Sequence, residues 1–323
     1  MKTIDVLALG ELLIDFTKNG KSEQGNDLYE ANPGGAPCNV LAILNKLGKK
    51  TAFIGKVGND SFGRMLESTL KDLGIGTQGL YLDDVYHTTL SIVSTDETGD
   101  RDFSFYRDPG ADEMLTPAEV DPELIRKSRI FHFGTLSLTH ESAREATKKA
   151  IRIAKEDGQI LSFDPNYRAP LWKSEELAKE QIAYGLSQCD ILKISEEELT
   201  LMTDTLDIDK GVQILRASFP QIRLLNVTAG KEGAFAYYQD LKVFVPGFCL
   251  GHTIDTTGAG DTFGGCVLNY VLEHGLDALT ESDLRAMLRF ANAAAYLITT
   301  RRGALKVMPE KEQIERILQE NPA

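Results

Sequence analysis

The residues with the most chemical promise lie in one run, Asp255-Thr256-Thr257-Gly258-Ala259-Gly260-Asp261-Thr262-Phe263. After it, Phe263, Val267, Tyr270 and Val271 recur at helical spacing, so the small residues stand at a helix N-terminus. Glycines there leave backbone N–H groups uncovered, and the helix dipole adds partial positive charge; together they suit an anion. Asp261, an acid in the first turn, has two readings. It complements the dipole and caps the helix, or it is a proton acceptor beside an anion hole. A second run, Gly74-Ile75-Gly76-Thr77-Gln78-Gly79, matches the dinucleotide fingerprint GxGxxG. That fingerprint requires a strand before it and a helix after it. Here a helical pattern precedes and a strand-like Leu80-Tyr81-Leu82 follows, so the run reads as a helix terminator and turn. A Walker A sequence at the required spacing is absent. Cys249 and His252 form a lone C-x-x-H; metal sites need about four ligands and no second pair lies nearby, so the pair reads as chance.

These residues need a scaffold, and the chain alternates strand and helix. Ile4 to Leu9 is a short apolar run ended by Gly10, and Thr51 to Val57 reads as another strand. Phe62, Met65, Leu66, Leu70 and Leu73 then fall on one helical face, stopped by Gly74. The second half repeats the pattern, with helices expected over 143–155, 175–186 and 208–217. Extended segments are expected over 159–163, 191–194 and 222–227. Such alternation implies right-handed crossovers and a mostly parallel sheet covered on both faces. Two stretches, about 12–30 and 86–107, lack helical periodicity. In the second, Thr88 to Val93 and Phe103 to Tyr106 flank the polar turn 96–100, a hairpin pattern. They are expected to form a small antiparallel flap on a single domain spanning 1–323.

Bulk properties narrow the partners. The apolar fraction is 42% and the formal net charge −13. An acidic surface repels nucleic-acid phosphates and acidic lipid, so neither nucleic acid nor membrane is an expected partner. The first residues are interrupted by Asp5, Gly10 and Glu11, unlike a signal peptide, and no run reaches the roughly 18 apolar residues of a membrane span. Four scattered cysteines, Cys38, Cys189, Cys249 and Cys266, suit a reduced, cytoplasmic protein.

The run DTTGAGDTF resembles the signature of the ribokinase-like sugar kinases, the PfkB family, and the resemblance covers essentially the whole chain. Gly10 to Phe16 and Pro33-Gly34-Gly35-Ala36-Pro37-Cys38-Asn39-Val40 are similar to that family's sugar-binding segments. Phe103 to Asp112, Phe163 to Arg168 and Leu171-Trp172 resemble fructokinases in particular. Lys193 to Glu198, Val227 to Gly233 and Phe290 to Ala295 complete the match in family order. The resemblance implies a three-layer α/β/α fold with a mostly parallel central sheet and a small antiparallel β lid. The lid would close over sugar, exclude water and double as a homodimer interface.

The resemblance also implies roles. Asp15 and Asn39 would bond sugar hydroxyls, and Gly34 and Gly35 would let the backbone approach the sugar, although they also suit an ordinary turn before the helix near Pro37. Phe105, Arg107 and Arg168 would lie on the substrate side. Asp261 would take a proton from the primary hydroxyl as it attacks the γ-phosphoryl of ATP. The amides of Gly258, Ala259 and Gly260 would stabilise the transferring charge. Asn166, Lys193, Thr228, Gly230, Gly233 and Asn292 would face the nucleotide; Asn292 suits a helix-capping amide equally well. Ser195 and Glu198 fall on a segment usually written N-x-x-E, linked to metal and phosphate placement, and S-x-x-E is also a capping box. Mg²⁺ is expected with ATP, with Glu198 acting through water. Asp255 and Thr257 match a monovalent-cation loop for K⁺, although Val307 stands where some members carry serine. Fructose is the expected substrate, yielding fructose 6-phosphate; the alternatives are 2-keto-3-deoxygluconate, whose carboxylate would need Arg107 or Arg168, then ribose, and a non-catalytic sugar sensor.

Overall fold

The computed structural model describes residues 2–95, 101–251 and 253–322. The polar turn expected at 96–100 and His252 of the Cys249–His252 pair lie outside the described residues. In chain order the first half runs β1 (Ile4–Leu9), β2 (Leu13–Lys21), β3 (Asp27–Gly34), α1 (Ala36–Lys46), β4 (Thr51–Gly58), α2 (Ser61–Asp72), β5 (Gly76–Asp83), β6 (Leu90–Thr95) and β7 (Arg101–Tyr106). It continues with α3 (Pro122–Arg126), β8 (Ser128–Phe133), α4 (Glu141–Glu156), β9 (Ile160–Phe163), α5 (Glu175–Gln188) and β10 (Ile191–Ser195). The remainder is α6 (Glu196–Thr203), α7 (Ile208–Ser218), β11 (Leu224–Thr228), β12 (Gly233–Tyr238), β13 (Leu241–Pro246), α8 (Ala259–His274), α9 (Glu281–Thr299) and α10 (Lys311–Glu320).

Nine strands form one sheet in the order β13-β12-β11-β10-β9-β8-β1-β4-β5. From β11 to β5 every neighbouring pair is parallel; β12 and β13 add an antiparallel hairpin at one edge. Successive side chains of a strand point to opposite faces, and β1 shows the result. Val6 and Ala8 join the core packed by α1, α8 and α9, while Leu7 and Leu9 join the core packed by α4, α5 and α7. The helices therefore cover both faces, as the alternating pattern requires. The GxGxxG run begins just after α2 and continues into β5, helix before strand, the reverse of a dinucleotide site.

A second, four-stranded sheet has the order β3-β2-β6-β7. It consists of two antiparallel hairpins joined along a parallel seam between β2 and β6. The first of the two segments extends to Gly34, beyond the boundary expected near residue 30. Register aligns Asn32, Asp15, Ser91 and Phe105 in one row across this sheet. Residues in such a row share a face, so Asp15 and Phe105 come together although 90 positions apart in sequence. β1 leads within three residues into β2, and β3 runs directly into α1. The row thus stands over the C-terminal ends of the large sheet's parallel strands, where open α/β sheets bind ligands. Among the described residues no helix is long and apolar enough to cross a membrane.

Candidate active site

Two helix starts build the centre of the site. α8 begins at Gly258, which holds φ 78° and ψ 2°. A Cβ there would stand 2.8 Å from the Ala304 methyl, so both conformation and space call for glycine. Asp261 follows in the first turn and is only 7% exposed. α1 packs closely along α8 because Gly265 presents no side chain; an added Cβ would lie 2.3 Å from Ile43 Cγ2. That approach sets Asn39, in the first turn of α1, against the acid: Asn39 Nδ2 donates to Asp261 Oδ2 at 2.8 Å. Burial, reinforced by the Asp164 carboxylate, pushes the Asp261 carboxyl up to about 6, against the opposing pull of Asn39, Lys193 and Arg168.

A cation stands opposite. Lys193, in β10, places Nζ 3.1 Å from Asp164 Oδ2 at the end of β9. The same Nζ is 3.0 Å from where a Gly260 Cβ would be, so the ammonium sits beside the glycine-rich helix start. Burial alone would lower the Lys193 pKa, but the carboxylates of Asp164, Glu198 and Asp261 outweigh it and hold the ammonium charged. Asp164 Oδ1 also accepts from the Asn166 backbone N–H at 3.1 Å, fixing Asn166 at φ 45°. Asparagine is among the few residues that tolerate that region.

Ser195 and Glu198 form the capping box of α6: Ser195 Oγ accepts from Glu198 N at 3.1 Å, and Glu198 Oε2 from Ser195 N at 2.8 Å. Glu198 Oε1 accepts in turn from Tyr167 N at 2.8 Å, tying the loop after β9 to α6. Burial raises the Glu198 carboxyl above the usual range, with Lys193 opposing.

Most of the expected site residues line two adjoining cavities. The first, about 840 Å³, is bounded by Asp15, Gly35, Asn39, Phe105, Asn166, Arg168, Lys193, Ser195, Glu198, Thr257, Gly258, Ala259, Gly260 and Asp261. Gly34 lies just behind it; a Cβ there would meet Asp15 Oδ2 at 2.5 Å. Gly35 holds φ 129° with its would-be Cβ 2.4 Å from the Glu11 carbonyl, so it is more than an ordinary turn residue. The second cavity, about 410 Å³, is lined by Thr228, Gly230, Gly233 and Asn292, and shares Ser195, Ala259 and Gly260 with the first. Asn292 donates to the carbonyls of Val245 and Pro246, fastening α9 to the end of β13.

Two expected residues are placed elsewhere. The Arg107 side chain is 2% exposed and does not line the first cavity. Its guanidinium is turned inward on Asp112, Thr139 and the Leu136 carbonyl. Asp255 lies behind the wall, accepting from Thr257 N at 2.7 Å and Gly303 N at 3.1 Å. Among the described residues no group of three or more His, Cys, Asp or Glu side chains could hold a metal ion by itself.

Glu11 and Asp164 lie at the site without having been singled out from the sequence. Glu11 lines the first cavity, and its Oε1 accepts from the Ala36 N–H that opens α1, at 2.7 Å. Burial pushes its carboxyl up to about 7, against two backbone hydrogen bonds. The available signal was positional: each acid lies within two residues of the end of an apolar strand run, Glu11 after Leu9-Gly10 and Asp164 after Phe163.

The fold recurs in known proteins. The family model for pfkB family carbohydrate kinase matches residues 3–311. The chain is similar to a probable fructokinase-2 of Arabidopsis thaliana, 41% identical over 306 residues, 94% of this chain and 92% of that protein. It is similar in structure to the fructokinase of Xylella fastidiosa with bound ATP: TM-score 0.89, 31% identity, 99% of each chain covered. A double mutant of the Vibrio cholerae O395 fructokinase, holding fructose, ADP and a potassium ion, superposes with TM-score 0.87 at 32% identity, covering 98% of this chain and 99% of that one. Fold and relatives together define a phosphotransferase that acts on a sugar hydroxyl. The chain belongs to the pfkB family of carbohydrate kinases and has the ribokinase-like fold.

Proposed function

We propose that this carbohydrate kinase is a fructokinase, transferring the γ-phosphoryl group of ATP to the primary hydroxyl of fructose to give fructose 6-phosphate and ADP. The observation that carries this reading is the position of Asp261, buried in the first turn of α8 where the two cavities share a wall. Fructose would occupy the first cavity, against Asp15, Asn39 and Phe105. ATP would occupy the second, with Thr228, Gly230, Gly233 and Asn292 around the nucleoside and its terminal phosphate at Gly258 to Gly260.

The chemistry follows from positions. Asn39 takes up Asp261 Oδ2, which leaves Oδ1 for the attacking hydroxyl. As the oxygen–phosphorus bond forms and the bond to the ADP oxygen breaks, the hydroxyl proton passes to Asp261. The first-turn amides of α8 and the Lys193 ammonium offset the charge on the phosphoryl oxygens. Magnesium, when bound, would shield the polyphosphate charge. Both Glu198 oxygens already accept backbone N–H groups, so that residue suits a hydrogen bond to a metal-bound water. For potassium, the Asp255–Thr257 loop is held against Gly303 by the Asp255 carboxylate, which supports a site there.

Sugar choice follows from the two arginines. A 2-keto-3-deoxy acid needs a cation for its carboxylate, and Arg107 is already engaged within the protein. Of the two, Arg168 is the one on the cavity wall. We therefore expect kcat/KM on fructose to exceed that on 2-keto-3-deoxygluconate by about a hundredfold, in a sugar panel run with and without potassium. A preference for the keto-deoxy acid would overturn the assignment, and an absence of phosphorylation of every sugar would favour a sensor.

Residues 1–323 are read as one kinase domain whose four-stranded sheet serves as lid, in a cytoplasmic enzyme with unpaired thiols. Tyr29 and Tyr106, on one face of that sheet, are 47% and 63% exposed. A second copy covering them would make a homodimer. Light scattering at micromolar concentration should give twice the chain mass of 35.6 kDa; a monomer would contradict the dimer.

A further inference from the structure

The hairpin β6–β7 leaves and re-enters the main body at two residues, Thr89 just before β6 and Arg107 just after β7. Both are bound to one buried carboxylate. Asp112, in the 3-10 turn Ala111–Met114, accepts from Thr89 Oγ1 on Oδ1. On Oδ2 it accepts from Arg107 Nε at 2.9 Å and Nη2 at 2.6 Å. The Arg107 and Asp112 side chains are each 2% exposed. The rest of the guanidinium is also engaged: Nη1 donates to Thr139 Oγ1 and Nη2 to the Leu136 carbonyl, both at 3.0 Å, and Glu113 lies 3.5 Å from Nη1. Four of the five donors of an arginine are thus hydrogen-bonded and Glu113 faces the fifth, which turns the guanidinium toward the protein.

The local backbone is fitted to the cluster. At Gly110 an added Cβ would stand 1.9 Å from Thr89 Oγ1 and 2.8 Å from Asp112 Oδ1. The Thr89 carbonyl accepts from Ile14 N at 3.2 Å, so the same residue also fixes the start of the β2–β6 seam. Two residues further along that seam, Ser91 aligns with Asp15 on one side and Phe105 on the other. A slip of one residue at the root would send Phe105 to the opposite face of the small sheet.

We propose that Asp112, with Thr89 and Arg107, is a positioning clamp that fixes the register of the β6–β7 hairpin and thereby sets Phe105 and Asp15 against the sugar. The inference rests on reading the first cavity as the sugar site. It reassigns Arg107 from a group that touches substrate to one that acts through Phe105.

The test compares Thr89→Val, which keeps shape and removes the hydroxyl, with Thr89→Ser, which retains the hydroxyl. Losing a hydrogen bond to a buried carboxylate should loosen the hairpin root and raise the KM for fructose by about tenfold. The KM for ATP and kcat should stay within about twofold, and Thr89→Ser should return the fructose KM to wild type. Arg107→Lys, which keeps the charge but loses the planar fork, carries the same expectation and serves should Thr89→Val not fold. An unchanged fructose KM in either folded variant overturns the clamp, as does an equal rise in both KM values. Failure of both variants to fold also overturns it, because the cluster would then serve stability alone. Asp15→Ala is the parallel arm: an unchanged fructose KM there would sink the sugar-site reading itself. A raised value there with normal Thr89→Val kinetics would sink only the clamp.

Discussion

Asp261→Asn should lower kcat by a hundredfold or more, on the order of general-base contributions, while fructose affinity changes by no more than a few fold. Asparagine preserves the shape of the residue and can still meet Asn39 by turning its amide, so α1 and α8 should remain packed as they are. What disappears is an oxygen able to take a full proton. The pH profile provides an independent check. As the proposed proton acceptor, the Asp261 carboxyl must be ionised, and burial raises it to about 6. Below that pH it is protonated, so kcat/KM should fall about tenfold per unit as pH drops through 6, since that ratio reports the free enzyme. Glu11, which burial raises to about 7, is the competing source of such a limb. Glu11→Gln should leave the limb near 6 in place; if that substitution abolishes it, the limb belongs to Glu11.

Lys193→Met should reduce kcat by about a hundredfold, the scale seen when one preorganised charge-stabilising donor is removed. It should also destabilise the protein. The lysine side chain is 13% exposed and that of Asp164 5%, so the variant leaves a buried carboxylate without its cation. Breaking such a pair costs about 3–5 kcal/mol, read as a lowered Tm. The two effects have different origins and should separate. In a Lys193→Met/Asp164→Asn double variant the unpaired charge is gone, so Tm should largely recover while kcat remains low. Recovery of both would mean that Lys193 serves the fold rather than the transferring phosphoryl group. Full activity in the single variant would remove it from the site altogether.

Much of this arrangement was legible in the sequence because the local signals agreed with one another. The helical spacing after Asp261 announced α8, and Gly258 to Gly260 announced the shape of its start. The helix-before-strand context expected for Gly74 to Gly79 is the one the structure has. The segments expected as helices and strands in both halves occur within about two residues of their expected bounds, the usual uncertainty of helix and strand ends. Less visible was the β12–β13 hairpin, which turns at Gln239 with φ 48° rather than at an Asn-Gly or Asp-Gly pair. Without that turn signal, two antiparallel strands inside an otherwise parallel pattern leave little trace.

Arg107 illustrates a deeper reason. Its type and neighbourhood suit a substrate carboxylate, but whether an arginine faces outward depends on what waits behind it. That partner, Asp112, sits five residues away and is brought to the strand root only by Gly110 and the turn that follows. Likewise Asn39 and Asp261 meet across 222 positions because Gly265 lets two helices approach. Such pairings are products of packing, which periodicity does not encode.

The most direct measurement is the single-turnover rate of phosphoryl transfer from ATP to fructose at saturating concentrations of both, in the wild type and in Asp261→Asn, followed from pH 5 to 8. The proposal expects the wild-type rate to climb as the acid ionises, and the variant to be slower by at least about two orders of magnitude and flat over the range. A variant that transfers the phosphoryl group at nearly the wild-type rate, or with the same dependence on pH, would show that some other group receives the proton.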